Sequence, residues 1–157
     1  MTGDRQESVG KLLAVCLGSG GLPKLVVDEA TIGELGLEGD GHRFELHGGK
    51  HRAVCLLAEE EVRLLEKDGV ENIEPGAFGE NLRTEGVDFD SLIPGDRLVI
   101  GEEVELQMHD LREPCKTLQS VDSRFPDLMI GRSGILCEVI RSGAVRPGQS
   151  IRVVPAN

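Results

Sequence analysis

The sequence predicts a mainly β domain, a sandwich or barrel with small helical insertions. Three observations predict it. Glycine is frequent, 21 of 157 residues, and marks tight turns where side chains would crowd the backbone. The apolar runs are short and separated by turn signals at strand-like spacing. Aromatic residues are scarce, four Phe with no Tyr or Trp, so the core rests on Leu, Val and Ile.

Taken in order, residues 1–9 read as a flexible N-terminus and 10–157 as a single domain, an ordinary size for one core. "KLLAVCLGS" (11–19) reads as a strand ending in glycines. "GLPKLVVDEATI" (21–32) reads as a turn and a second strand rich in β-branched residues. Residues 33–51, "GELGLEGDGHRFELHGGKH", have no clean period and read as a long loop of the kind that often carries function. "RAVCLL" (52–57) is a further strand. "AEEEVRLLEKDG" (58–69) is the clearest helix. It has acidic residues at its start, Val62, Leu64 and Leu65 taken as one apolar side, Lys67 near its end and Gly69 as a stop. "NLRTE", "DRLVI" and "EVELQMH" are of strand length between PG, EG and PGD turns. "LQSVDSRFPDL" (118–128) is expected to hold a short helix, and "GILCEVIRSG" and "QSIRVVP" close the chain as strands.

The net charge is −11. Nucleic-acid binding runs on a basic surface that neutralises phosphates, so that partner is not expected. No apolar stretch has the length of a membrane span, and the opening "MTGDRQESVGK" lacks a secretory pattern. The expectation is a cytoplasmic protein with reduced thiols. Oligomeric state is not legible.

Four cysteines, Cys16, Cys55, Cys115 and Cys137, form no CxxC pair, so the usual zinc spacing is missing. Three sit in apolar runs and read as core. Cys115, in "REPCKTL", lies between Arg112 and Lys116, whose charge favours thiolate. It is the candidate for a reactive or metal-ligating thiol. The segment "GDGHRFELHGGKHR" gathers His42, His47, His51, Arg43, Lys50 and Arg52. Its glycines leave backbone N–H groups open to an anion, and Arg43 or Arg52 could grip a phosphate. The histidines, at i, i+5 and i+9, fit neither a helix nor a strand face, and a solvated loop is the plainer alternative. "LGSGGLPK" lacks P-loop spacing and reads as a turn. In "GAFGENL", Asn81 suits a heterocycle with mixed edges or caps backbone groups in a turn. Arg132 and Arg141 are anion contacts or surface charges.

These segments together resemble the MOSC domain family, the domain shared with the C-terminal part of molybdenum-cofactor sulfurases. The resemblance is carried by "GLPK" (21–24), "GLEGDGH" (36–42), "GGKHRAVCLL" (48–57) and "PGAFGENLRTEGVDF" (75–89). It continues through "LIPGDRLVIGEEVELQ" (92–107), "REPCKTL" (112–118) and "GRSGILCEVIRSGAVRPGQSIRV" (131–153). It implies a closed or partly open, PK-like β-barrel with small peripheral helices. It also implies that the family's motif cysteine falls on Cys115, either carrying sulfane sulfur as a persulfide or ligating the molybdenum of a molybdopterin cofactor. The implied cofactor-binding neighbourhood is His42, Gly49, Arg52, Gly79, Glu80, Asn81 and Arg132. Pyridoxal phosphate binding enters only as a family-level association.

The implied partners are a cysteine desulfurase-type sulfur donor, a molybdoenzyme or an electron-transfer protein. Some relatives reduce N-hydroxylated bases and amidoximes, the alternative activity here, which needs an external electron donor. The N-terminal β-barrel domain of larger members and the aminotransferase-like domain of the sulfurases have no counterpart in these 157 residues. A purely structural domain is the third reading, since fold alone does not imply function.

Overall fold

The computed structural model describes residues 8–18, 23–41, 53–113, 118–119, 121–125 and 127–156. Its strands are β1 (Ser8–Leu17), β2 (Leu25–Val27), β3 (Ala30–Gly33), β4 (Gly36–Leu37), β5 (Val54–Ala58), β6 (Leu82–Glu85), β7 (Arg97–Ile100), β8 (Val104–Leu111), β9 (Ile135–Arg141), β10 (Gly143–Val145) and β11 (Ser150–Val154). One α-helix, α1 (Glu59–Lys67), follows β5.

The large sheet runs β11-β7-β8-β9-β5-β6-β1-β2, and β11 also pairs with β1. Seven strands therefore close into a barrel, with β2 outside the ring. Closure removes the exposed edges that an open sheet would carry. β1 makes it possible by dividing its length: Ser8–Lys11 pair with β11 and Val15–Leu17 with β2, while its other edge takes β6 across a register shift between Leu12 and Ala14. β5 and β6 are parallel, which requires a crossover, and α1 lies in that connection. A small sheet, β10-β3-β4, stands beside the barrel.

Two cores result. Leu12, Val15, Val54, Leu56, Leu82, Leu98, Ile100, Leu106, Ile135 and Ile151 fill the barrel. Leu57, Val62, Leu65, Phe78, Phe125 and Met129 form a second cluster outside the wall, under α1. β5 is buried along both faces, because alternate residues serve the two cores.

The expected mainly β barrel is observed, with corrections at particular elements. The strand read over 21–32 is two strands broken at Asp28 and Glu29, and Leu25 and Val26 of β2 are exposed. The loop read over 33–51 contains β4. Leu64 does not belong to the buried side of α1. It is 49% exposed while Val62 and Leu65 are fully buried, because two positions turn a helix about 200°. The short helix expected within 118–128 takes 3-10 form in the described residues, at 118–119 and at Asp127–Met129. "GILCEVIRSG" is mostly β9, with β10 beginning at its last residue. No helix among the described residues is long and apolar enough to cross a membrane.

Candidate functional site

Two polar structures bracket β5. At its start, Asn81 Oδ1 accepts the Cys55 backbone N–H at 3.0 Å, and Nδ2 donates to the Cys16 carbonyl at 3.4 Å and to Asp40 Oδ2 at 2.9 Å. Asp40 Oδ2 also accepts Lys24 Nζ at 2.9 Å, and Oδ1 accepts the Gly18 N–H at 2.9 Å. Asn81 thus ties β1, β5 and the chain at Asp40 together, using both its donor and acceptor atoms. The Gly41 N–H donates to Gly18 O at 2.7 Å, fixing the chain immediately before His42.

Next to it stands a buried ion-pair network. Arg83 lies on β6 on the face turned away from the barrel interior, 1% exposed. Its guanidinium donates to Glu80 Oε2 at 2.8 Å, Glu59 Oε1 at 2.8 Å, and the carbonyls of Ile73 and Glu74 at 3.1 Å each. Glu80 Oε1 accepts the Phe78 N–H at 3.2 Å, and the Arg83 guanidinium lies over the Phe78 ring at 6.0 Å. Every strong donor has an acceptor, as a charge in this position requires.

Past the end of β5 lies a cleft of about 750 Å³. Its apolar walls come from Phe89, Leu92, Met108, Leu111, Ile130 and Ile135, and its acids are Glu61, Asp90, Asp110 and Glu113. β8 reaches it through a register shift between Met108 and Asp110, the kind of bulge that re-aims a strand end beside a site. Arg112, also in the wall, is held by carbonyls: Nη2 donates to Phe78 O at 2.7 Å and Nη1 to Ser133 O at 3.5 Å. The Arg112 N–H donates to Gly134 O at 3.0 Å, and Ser133 Oγ donates to Arg112 O. Two strand ends are thus clamped at the point where the chain continues toward Cys115. Among the described residues, no carboxylate forms an ion pair with Arg112.

Glu61, in the first turn of α1, faces this cleft. The nearby Ala58 N–H favours its charged form. Oε1 is buried with no hydrogen-bond partner among the described residues. Burial first, then the Asp90 charge, pushes the Glu61 carboxyl up to about 7 from 4.5. Folding therefore disfavours ionisation here: the penalty is absent below about pH 4.5, grows up to about pH 7 and is complete above it. Glu61→Gln is expected to raise the melting temperature at pH 8 by about 2–4 °C, the effect of roughly 1 kcal/mol in a chain of this size, and to leave it unchanged at pH 4.5. Thermal melts across that range check the sign; a gain confined to acid pH would refute it.

The thiols divide as burial predicts. Cys16, Cys55 and Cys137 are buried. Burial pushes the Cys16 thiol up to about 12. It also pushes Cys137 up, with Cys55 adding to the effect. Cys137 lies in the barrel core, whereas Cys16 and Cys55 are buried outside it, alternating with the inward-facing Val15, Val54 and Leu56.

A family model for the MOSC domain matches residues 43–152. The chain belongs to the MOSC domain family. Protein YiiM of Escherichia coli (strain K12) is 34% identical over 142 residues, 85% of this chain and 63% of that protein. A protein of Gibberella moniliformis (strain M3125 / FGSC 7600) named "Reductase" is 29% identical over 76% of this chain and 22% of its own length. The chain thus spans less than two thirds of either relative. The crystal structure of YiiM from Escherichia coli superposes with a TM-score of 0.73 at 30% identity, covering 98% of this chain and 72% of that one. YiiM from Geobacillus stearothermophilus gives 0.78 at 23% identity, covering 93% and 75%, and at that identity it shows the fold alone.

Of the MOSC motif residues, Cys115, His42, Gly49 and Arg52 lie outside the described residues. Asn81 falls in the network at the start of β5 and Glu80 in the Arg83 ion-pair network, with Gly79 immediately before them. Their side-chain polar atoms are taken by protein partners, so Glu80 and Asn81 position the surrounding chain. Arg132 stands apart from them: Nε donates to Leu128 O at 2.9 Å and Nη2 pairs with Asp68. Sequence reasoning missed Asp40, Lys24, Arg83, Glu59 and Glu61. A signal existed for Arg83, a cation three residues after Glu80 within an otherwise strand-like run, and for Asp40, inside "GLEGDGH".

Proposed function

We propose that this MOSC domain acts through the Cys115 thiolate, which holds sulfane sulfur as a persulfide or ligates the molybdenum of a bound pterin cofactor. The observation that supports this best is elimination by burial. The other three thiols are enclosed, and the two whose acidity shifts are held in the protonated form. Cys115 follows two positions after Glu113, a wall residue of the cleft.

As a carrier, the Cys115 thiolate attacks the outer sulfur of a donor persulfide. The S–S bond of the donor breaks, the donor leaves as a thiolate, and Cys115 keeps the transferred sulfur with no net change in oxidation. A cysteine desulfurase-type protein fits as donor and a molybdoenzyme as acceptor.

The donor set also fits the cofactor. A soft thiolate suits such a metal, and among the described residues no group of three His, Cys, Asp or Glu offers a rival cage. Arg52, His42 and the Gly49 backbone would hold its phosphate and pterin, with Gly79, Glu80 and Asn81 positioning the chain around them, whereas Arg132 stands apart, engaged by Leu128 O and Asp68. When bound, the cofactor supplies two-electron chemistry, and the protein orients it. The cleft favours this second form, because a sulfur relay needs no small-molecule cavity. With an external electron donor, the reaction would be reduction of an N-hydroxylated base, and the Gibberella relative's name accords with that.

Mass spectrometry and metal analysis of protein from a cofactor-competent host test the proposal. One extra sulfur or bound molybdenum is expected, lost in Cys115→Ser by at least about tenfold, as removal of a thiolate ligand predicts. Neither in the wild type, or equal loading in the variant, overturns it.

A further inference from the structure

Read from sequence alone, Arg112 is a charge beside Cys115. In the structure its guanidinium is held by main chain: Nη2 donates to Phe78 O at 2.7 Å and Nη1 to Ser133 O at 3.5 Å. The main chain of Arg112 is held as well, on both sides. Its N–H donates to Gly134 O at 3.0 Å, and its carbonyl accepts Ser133 Oγ. Ser133 is 2% exposed, so this hydroxyl bond is shielded from competing water.

Each anchor is itself fixed. Gly134 packs against the Leu56 carbonyl of β5, where a Cβ would stand 2.1 Å from the oxygen. Phe78 is fully buried, donates its N–H to Glu80 Oε1 at 3.2 Å and packs edge-on against Phe125 at 6.0 Å. On the far side of Cys115 in sequence, Leu118 is fully buried in the same cluster as Phe78 and Phe125. Its carbonyl accepts the Val121 N–H at 2.9 Å. Residues 113–117 therefore connect two points held by one wall. Cys115 is three positions from each point, so its Cα lies within about 11 Å of both.

We propose that Arg112 and Ser133 are positioning residues for Cys115, and that Arg112 acts through its hydrogen bonds to Phe78 and Ser133 rather than through its charge. The proposal rests on the reading of Cys115 given above and adds what places its sulfur. A thiolate that takes up a sulfur atom or completes a metal's ligand set needs a fixed approach, and a misplacement of about 1 Å costs a reacting site about a hundredfold. Groups that orient a ligand without touching the metal typically change affinity by about tenfold or more. Lysine in place of Arg112 keeps the charge but lacks the planar fork that reaches two carbonyls.

Three variants of the full chain test this: Ser133→Ala, Ser133→Thr and Arg112→Lys. Sulfur and molybdenum are measured on protein from a cofactor-competent host. Limited trypsin digestion reads cleavage after Lys116 relative to cleavage after Arg63 in α1. Ser133→Ala and Arg112→Lys are expected to lower loading about tenfold. They are also expected to raise the Lys116 to Arg63 cleavage ratio about tenfold, because a released segment opens without the rest of the chain. Ser133→Thr keeps the hydroxyl and is expected to stay within about threefold of wild type in both readings. A loss of stability alone would raise cleavage at both sites and leave the ratio unchanged. Wild-type loading and ratio in Ser133→Ala or in Arg112→Lys, or a Ser133→Thr as impaired as Ser133→Ala, overturns the proposal. If a Ser133 variant does not fold, Arg112→Lys, which adds no volume, decides it. The two claims separate. A wild type without sulfur or molybdenum refutes the role of Cys115, while the cleavage ratio still decides the clamp. A loaded wild type whose variants load and cleave as it does refutes the clamp alone.

Discussion

Arg83→Met is expected to lower the unfolding free energy by about 3–5 kcal/mol, the loss typical when one partner of a buried ion pair is removed. Arg83 joins four acceptors from three parts of the chain: Glu80 beside it, Glu59 at the start of α1, and the carbonyls of Ile73 and Glu74 between helix and strand. The methionine fills much of the volume but satisfies none of them. Glu80, wholly buried, keeps only the Phe78 N–H, and two carbonyls lose their donor. Arg83→Lys retains the charge but cannot fork to four acceptors at once, so an intermediate loss is expected. Adding Glu80→Gln to Arg83→Met should recover part of the loss, because it removes the stranded charge. Urea denaturation of the three variants checks the order. A loss below about 1 kcal/mol for Arg83→Met, the range of exposed pairs, would show that the network contributes little.

The acidic start of α1 shows what was legible and what was not. Glu59, Glu60 and Glu61 are three identical letters, and together they mark a helix N-terminus correctly. Yet each turns about 100° from the last, and their fates differ. Glu59 pairs with Arg83, Glu60 accepts the Gly86 N–H at the surface, and Glu61 faces the cleft. Local pattern names the element but not the neighbours that the crossover brings to it. The same limit applies to Asp40, whose role depends on Lys24 and Asn81 from distant segments. It applies also to the parallel pairing of β5 with β6, which no short-range signal encodes. The burial of Cys16, Cys55 and Cys137 was legible because each sits in an apolar run, although only Cys137 faces the barrel interior. The singling out of Cys115 followed from the same reasoning, whereas the cleft next to its segment comes from β8, β9, α1 and a 3-10 turn meeting in space.

Gly134→Ala is the second large effect expected. Gly134 precedes β9 with φ +96°, and a Cβ there would stand 2.1 Å from the Leu56 carbonyl oxygen and 3.1 Å from its carbon. The obstacle is backbone of β5, which pairs with β9 through Leu56 and Ile135, so no side-chain rotation relieves it. Gly131 separates the two contributions. It has φ +81° in the same cleft wall, with nothing within 4 Å of a Cβ. Gly131→Ala should cost only the backbone term, about 1–2 kcal/mol. Gly134→Ala must also push β9 away from β5, and a total of about 4–5 kcal/mol is expected, the range reserved for overpacked or strained core sites. It should damage the cleft as well, because Gly134 O accepts the Arg112 N–H and Ser133 Oγ holds the Arg112 carbonyl. Moving that turn releases the clamp on the chain leading to Cys115. Chemical denaturation of both variants reads the difference. Equal losses in the two would mean that φ alone sets the cost and that the close approach of β9 to Leu56 does not constrain the cleft.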